Sequence, residues 1–340
     1  MTTGTLESPA APVVVRSRWP FVAAVYGLSR LVAFAGFGVT VLVRAGWSLG
    51  DLPRLWDGLW YLRLAHDGYP HGLPEVAGRA QGTLAFFPLF PLLIRVVSAL
   101  PGVSDGVAGL AVSLASGAAA AWFVSRLAER LAGERAARRA TVLFCFFPGS
   151  IVFSMVYSEG LMIALAAATL LALVDRRWIL AGALGGLATA CRPNAAVLVV
   201  AAGWAAIEAV RRGGDRRALV APALMSAGIG GFMSFLWLRT GVPDAWIRVE
   251  HDVWNQQADF GRTLINWTAW FVRAPFGNLE RAMVVAALVF AAAGLWFVVR
   301  RGWPAPVAVY TAGTLALAAA YRVDVLRPRA VLAAFPLFIA

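Results

Sequence analysis

The sequence predicts an all-α, polytopic membrane protein, and three observations carry that prediction. Of 340 residues, 60% are hydrophobic, and the mean hydropathy is +0.71, more than a soluble core requires. Apolar runs able to cross about 30 Å of hydrocarbon recur along the whole length. The net charge of +12 comes from thirty arginines and no lysine, gathered in short clusters between those runs rather than along one face. That pattern fits membrane topology and implies membrane lipids as partners and no nucleic acid.

Taken in order, residues 1–18 are polar and rich in Pro and Ala and read as a cytoplasmic tail, with 19–340 as one transmembrane domain. The run from Trp19 to Val43 is too long for a signal peptide and lacks a small-residue cleavage site, so it reads as a retained first helix. Further runs lie near 106–125, 139–156, 159–174, 178–190, 195–210, 218–238, 281–299 and 304–320, and one more begins near Ala330 and is cut by the last residue. About ten spans result. Residues 46–105 read as a first extracytoplasmic loop carrying juxtamembrane helices, and 240–279 as a second large one. Within the first, LAFFPLFPLLIRVVSALP (84–101) approaches the length of a span, but Pro88, Pro91 and Arg95 suit a broken amphipathic helix lying at the interface. The stretches SGAAAAW (116–122) and GALGGLA (182–188) predict close helix packing. Cys145 and Cys191 form no disulfide framework and read as packing residues.

Charge parity supports the interfacial reading of 84–101. If that segment does not cross, the connections RLAERLAGERAARR (126–139), DRR (175–177), RRGGDRR (211–217) and RR (300–301) all join the N-terminus. That side then holds fifteen arginines against six acids, while the other side is close to balance. The positive-inside rule makes the arginine-rich side cytoplasmic. The same parity puts WDG (56–58), YSE (157–159), CRPN (191–194), HDVWNQQADFGR (251–262) and YRVDVLRPR (321–329) together on the extracytoplasmic face.

These loops hold the candidate chemistry. In RLWDGLWYLRLAHDGYP (54–70), Asp57 stands among Trp56, Trp60 and Tyr61, rings that exclude water and offer stacking faces to a sugar. An aromatic belt with a helix-capping Asp accounts for the same residues. Glu159 follows Tyr157 and Ser158. It reads either as the first residue of a helix capped by Ser158 or as an ionisable group at costly depth that binds sugar or acceptor. Arg192, Arg327 and Arg329 carry the planar fork that suits phosphate oxygens, whether of a substrate or of a lipid headgroup. Trp246, Trp254, Gln256 and Gln257 could line a sugar or polyprenyl groove, and an ordinary amphipathic interfacial helix explains them equally well. His66, Asp67 and His71, and His251 with Asp252, lack metal-ligand spacing, so no metal is expected. Arg30 is the one charged residue placed inside a span, thin support for a lipid or glycan transporter or flippase.

The run WDGLWYLRLAHDGYP followed by FFPLFPLLIR resembles the first extracytoplasmic loop of the PIG-V family, within the GT-C superfamily of membrane glycosyltransferases. FPGSIVFSMVYSEGLMIAL (147–165) is similar to that family's Tyr-Ser-Glu stretch, ATACRPNA (188–195) to its Arg-containing turn, and RPRAVLAAFPLF (327–338) to its last motif. The flanking Pro328 and Ala330 leave open whether Arg327 or Arg329 takes the family's Arg position. The resemblance implies a GT-C-type bundle in a bacterial plasma membrane. It implies transfer of a mannosyl residue from polyprenyl-phosphate mannose to a lipid or glycan acceptor hydroxyl, with inversion and no cofactor. Asp57 would be the general base, Arg192, Arg327 and Arg329 would hold the donor phosphate, and Trp56, Trp60, Tyr61, Tyr157, Glu159, Asn194 and Gln257 would bind sugar or acceptor.

Overall fold

The computed structural model describes residues 18–44, 46, 48–73, 79–274, 278–322 and 327–340. All but Arg18 of the tail expected at 1–18 lies outside them. Among the described residues, thirteen α-helices follow one another: α1 Trp19–Val43, α2 Asp57–Asp67, α3 Leu89–Ser98, α4 Asp105–Phe146, α5 Glu159–Val174, α6 Trp178–Thr189, α7 Val197–Gly213, α8 Val220–Thr240, α9 Ala245–Asp252, α10 Arg262–Arg273, α11 Leu279–Arg300, α12 Ala305–Ala320 and α13 Pro328–Ala333.

Among the described residues, five helical stretches are long and apolar enough to cross a membrane: Trp19–Val43, Asp105–Phe146, Pro193–Gly213, Arg216–Thr240 and Arg281–Arg300. The pair Pro148–Ser154 and Glu159–Val174, bent by 109°, makes a sixth if it counts as one broken span. The larger number expected from apolar runs reflects breaks and short helices. At 42 residues, α4 would be about 63 Å long if straight, but Gly133 takes a φ of +81° inside it. Its first arm accommodates the run at 106–125, while the second takes only the start of the run at 139–156, which breaks after Phe146 and continues as the 3-10 segment Pro148–Ser154. The helices α6 and α12 have 12 and 16 residues. The run from Ala330 is not one helix but the six-residue α13 and a 3-10 turn Phe335–Phe338. At ten residues, α3 reaches only about 15 Å, half a span, and buries Phe90, Pro91 and Ile94.

Small residues set the packing, as expected. The helices α4 and α5 lie along one another, as do α6 and α8. In the second pair a Cβ at Gly228 would run into the carbonyl oxygen of Gly186, so the two backbones touch. Both cysteines are buried and free.

Arg30 sits inside this packing, with 5% of its surface exposed. Its Nη1 donates to the Ser150 carbonyl at 2.5 Å and to Ser154 Oγ at 3.0 Å, its Nη2 to the Cys145 carbonyl at 3.1 Å and Ser150 Oγ at 2.9 Å, and its Nε to Ser29 Oγ at 3.2 Å. The rings of Tyr26 and Phe153 flank the guanidinium at 5.2 and 5.5 Å. Because α4 stops at Phe146, its last carbonyls need outside donors, and Arg30 and the Ser150 hydroxyl both donate to that of Cys145. Arg30 is a tie between α1 and the broken segment, so the feature that favoured a transporter has a structural account.

The polar connections sort to two ends. At one, Arg18 meets Glu129 at 2.8 Å, Arg130 meets Asp175 at 2.9 Å, and Trp178 Nε1 donates to Asp215 at 2.7 Å. These contacts join the start of α1 to the connections at 126–139, 175–177 and 211–217, the arginine-rich loops that parity assigns to one side. The loops with candidate chemistry meet elsewhere, as follows.

Candidate active site

Asp57 is the first residue of α2, and the turn before it is unusual. Trp56 takes φ +47° and ψ −116°, a region that side-chain-bearing residues seldom occupy, with its own side chain outward and 70% exposed. Gly58 follows because nothing larger fits: a Cβ there would strike the Pro53 carbonyl oxygen and lie 3.4 Å from Val156 Cβ. The Asp57 amide donates to Tyr157 Oη at 3.2 Å. Its carboxylate does not cap the helix. Oδ2 instead accepts from Arg329 Nη1 at 3.1 Å, with the two side chains 21% and 24% exposed.

Arg329 reaches that place through α13. The Arg327 carbonyl accepts from the amides of Ala330 at 2.8 Å and Val331 at 3.2 Å, starting the helix. The Pro328 carbonyl rests directly on Gly149, where a Cβ would lie 2.6 Å from the Pro328 carbonyl carbon and 3.0 Å from the Arg329 amide nitrogen. The bare α-carbon in FPGS therefore lets the last motif approach the first.

Beside this pair, Tyr157 is held by Ser113, while Ser158 and Glu159 share Arg192. The Tyr157 amide donates to Ser113 Oγ at 3.2 Å, and the Ser113 hydroxyl is 3.4 Å from the Tyr157 carbonyl. Ser158 occupies the cap position of α5 but makes no side-chain cap bond, so of the two sequence alternatives the capping one does not hold. Its Oγ instead pairs with Tyr61 Oη at 2.6 Å and accepts from Arg192 Nη1 at 2.9 Å. Arg192 Nη1 also lies 3.1 Å from Glu159 Oε2, a charge contact without hydrogen-bond alignment. Glu159 Oε2, Arg192 Nε and Asn194 Oδ1 are buried and lack hydrogen-bond partners. Burial pushes the Tyr61 phenol well above its ordinary value, so it stays protonated, and its ring packs edge-on to Phe86 and Phe90 at 4.8 Å each.

The second large loop packs on the first. Trp60 and Trp254 meet edge to face at 5.6 Å, Trp254 Nε1 donates to the Gly82 carbonyl, and Trp246 Nε1 donates to the Ala85 carbonyl. The Gln257 carbonyl accepts from the Arg322 amide at 3.0 Å, tying this loop to the segment after α12. The structure thus joins Asp57, Tyr157 and Arg329 in one cluster, and Tyr61, Ser158, Glu159 and Arg192 in its neighbour. Trp60 lies on the rim, while Arg327 and Gln257 are fixed through backbone bonds. His66 pairs with Asp105 at 3.1 Å and His251 with Asp252 at 2.8 Å, and no group of three potential metal ligands occurs among the described residues.

Sequence reasoning missed the acceptor role of Tyr157, the contribution of Ser113 and an apolar groove of about 470 Å³. Leu143, Phe146, Phe147, Pro148, Phe290 and Pro328 are among its lining residues. It lies between the second arm of α4, α11 and the C-terminal segment, and Pro328 immediately precedes the arginine that holds Asp57.

Comparison with known proteins agrees with this architecture. Residues 85–235 match the family model for dolichyl-phosphate-mannose-protein mannosyltransferase. GPI mannosyltransferase 2 of Drosophila pseudoobscura pseudoobscura is 30% identical over 122 residues, 33% of this chain and 25% of that protein. The chain spans about a quarter of that relative's length. The crystal structure of ArnT from Cupriavidus metallidurans bound to undecaprenyl phosphate superposes with a TM-score of 0.58, at 14% identity, over 95% of this chain and 60% of ArnT. The Archaeoglobus fulgidus oligosaccharyltransferase in its apo form gives 0.50, also at 14% identity, over 96% and 50%. The resemblance read from the motifs is borne out: the chain has the fold of the GT-C membrane glycosyltransferases, and its sequence likeness within that fold is to mannosyltransferases.

Proposed function

We propose that the protein transfers a mannosyl, or related hexosyl, residue from a polyprenyl-phosphate donor to a hydroxyl of a lipid-linked or glycan acceptor, with inversion at the anomeric carbon. The observation that carries this reading is the Asp57–Arg329 pair, 3.1 Å apart, beside an apolar groove that Pro328 lines. A lipid-linked phosphosugar needs those parts in that order: an apolar channel for the chain, a cation for the phosphate and a carboxylate for the incoming hydroxyl. The likeness to ArnT, whose structure holds undecaprenyl phosphate, supports the lipid class of the donor. The likeness to mannosyltransferases supports the sugar.

In the reaction, Asp57 takes the acceptor's proton as its oxygen bonds to the anomeric carbon, and the bond from that carbon to the phosphate oxygen breaks with its electrons on the phosphate. The phosphate leaves as a stable anion and needs a cation more than a proton. Arginine's planar fork of five N–H donors suits both the Asp57 carboxylate and phosphate oxygens, so Arg329 is the cation this reading sets beside the leaving phosphate. Turnover without a divalent ion is expected accordingly. Arg192, Glu159 and Ser158 form the wall beside the reacting atoms, and Trp60 at the rim faces the acceptor. The loops carrying the site lie on the extracytoplasmic side of a bacterial plasma membrane, opposite the arginine-rich connections.

Asp57→Asn tests the reading, because it keeps size and most hydrogen bonding while removing basicity. With radiolabelled polyprenyl-phosphate mannose and a total membrane-lipid extract as acceptor, turnover should fall by about a hundredfold or more, with donor binding retained. Transfer at the wild-type rate would remove Asp57 as the base.

A further inference from the structure

We infer that Tyr157 is a positioning residue whose hydroxyl oxygen holds Asp57 in register for catalysis. This rests on the reading of Asp57 as the base, and it moves Tyr157 from the substrate-binding group to the scaffold behind it. The turn into α2 stores strain. A non-glycine residue at the Trp56 angles persists only where its surroundings hold it there, and the amide of the first helical residue has no partner within its helix. Tyr157 Oη supplies that partner at 3.2 Å. At 3% exposure the ring is too enclosed to present a face to a sugar.

The hold extends into the bundle. Ser113 is fully buried on α4 and contacts Tyr157 through both the amide and the carbonyl, so the phenol hangs from a fixed backbone. Gly58 blocks relaxation on the other side by lying against the Pro53 carbonyl. Between these two contacts the Asp57 Cα has little freedom, and the carboxylate meets Arg329 with the same precision. One line of contacts therefore runs from Ser113 through Tyr157 to the backbone of Asp57.

Tyr157→Phe keeps the ring and deletes the acceptor. Turnover should fall roughly tenfold to a hundredfold while KM for polyprenyl-phosphate mannose stays within about twofold, since the loss is one of placement. A role acting only through Asp57 also predicts non-additivity: Asp57→Asn with Tyr157→Phe should be no slower than Asp57→Asn alone. Ser113→Ala, a smaller perturbation of the same line, should lower kcat in the same direction and keeps the test open if Tyr157→Phe does not fold. A raised KM with unchanged kcat, additive losses in the double variant, or wild-type turnover in both Tyr157→Phe and Ser113→Ala would each overturn the inference. If Asp57→Asn itself is fully active, the base assignment fails first and carries this inference with it, an outcome distinct from an inactive Asp57→Asn beside an unaffected Tyr157→Phe.

Discussion

Gly149→Ala places a single methyl group between the two ends of the chain that build the site. The added carbon would lie 2.6 Å from the Pro328 carbonyl carbon and 3.0 Å from the Arg329 amide nitrogen, up to about 1 Å inside ordinary nonbonded contact. Both segments are packed, and α13 should be the one to yield because it has only six residues, whereas Gly149 stands between the longer α4 and α5. Moving α13 by about that distance carries Arg329 from 3.1 Å to beyond 4 Å from Asp57. Overpacking of this size costs about 1–3 kcal/mol, and a misplacement of about 1 Å at reacting groups costs on the order of a hundredfold in rate. Initial-rate transfer of labelled mannose in nanodiscs, alongside the unfolding temperature, separates the two effects. The control is Gly203→Ala on α7, where an added Cβ meets nothing within 4 Å, and which should leave both unchanged or slightly raise stability. Full turnover in Gly149→Ala would refute the argument that this contact sets the position of Arg329.

Two other predictions concern the neighbouring ion pair and the topology. Arg192→Gln strips the charge partner from Glu159, whose side chain is 4% exposed, and should lower stability by about 3–5 kcal/mol; adding Glu159→Gln should recover much of that, and thermal unfolding of both variants measures it. With the native cysteines buried, Arg135→Cys and Asp252→Cys offer exposed thiols; the first should react with an impermeant maleimide only from the cytoplasmic side and the second only from outside. Labelling of both from one side would break the parity assignment.

Most of the architecture was legible because the bilayer imposes a long, unambiguous period on the sequence. The runs, the short α3 and the close packing of 182–188 all follow from length and side-chain size. Asp57, Tyr157 and Glu159 stood out because polar groups are costly beside apolar runs. Which of them meet was not legible. Asp57 and Arg329 are 272 positions apart, and no local pattern records the approach of Gly149 to Pro328 that joins them. The choice at Ser158 was open for a related reason: its position before a helix satisfies the rule for a cap, but buried Tyr61 and half-buried Arg192 compete for the same hydroxyl and win. The breaks in α4 and after Phe146 were hidden too, since composition reports how much apolar surface a run has and says nothing of where its axis turns.

Arg30 has a history as well as a place. Its carbonyl partners on Cys145 and Ser150 lie 115 and 120 residues later in the chain, so at about 5–20 residues per second they emerge roughly 6 to 24 seconds after it does. During that interval α1 carries an uncompensated cation, which costs about 2.5–3.5 kcal/mol at the centre of an inserting helix. The helix α1 is therefore settled well after it is made, and it should remain beside the insertion machinery until the segment around Ser150 arrives. Site-specific crosslinking of stalled chains checks this: chains ending before Cys145 should hold α1 against the translocon, longer ones should release it, and Arg30→Leu should release it early at the expense of the finished fold.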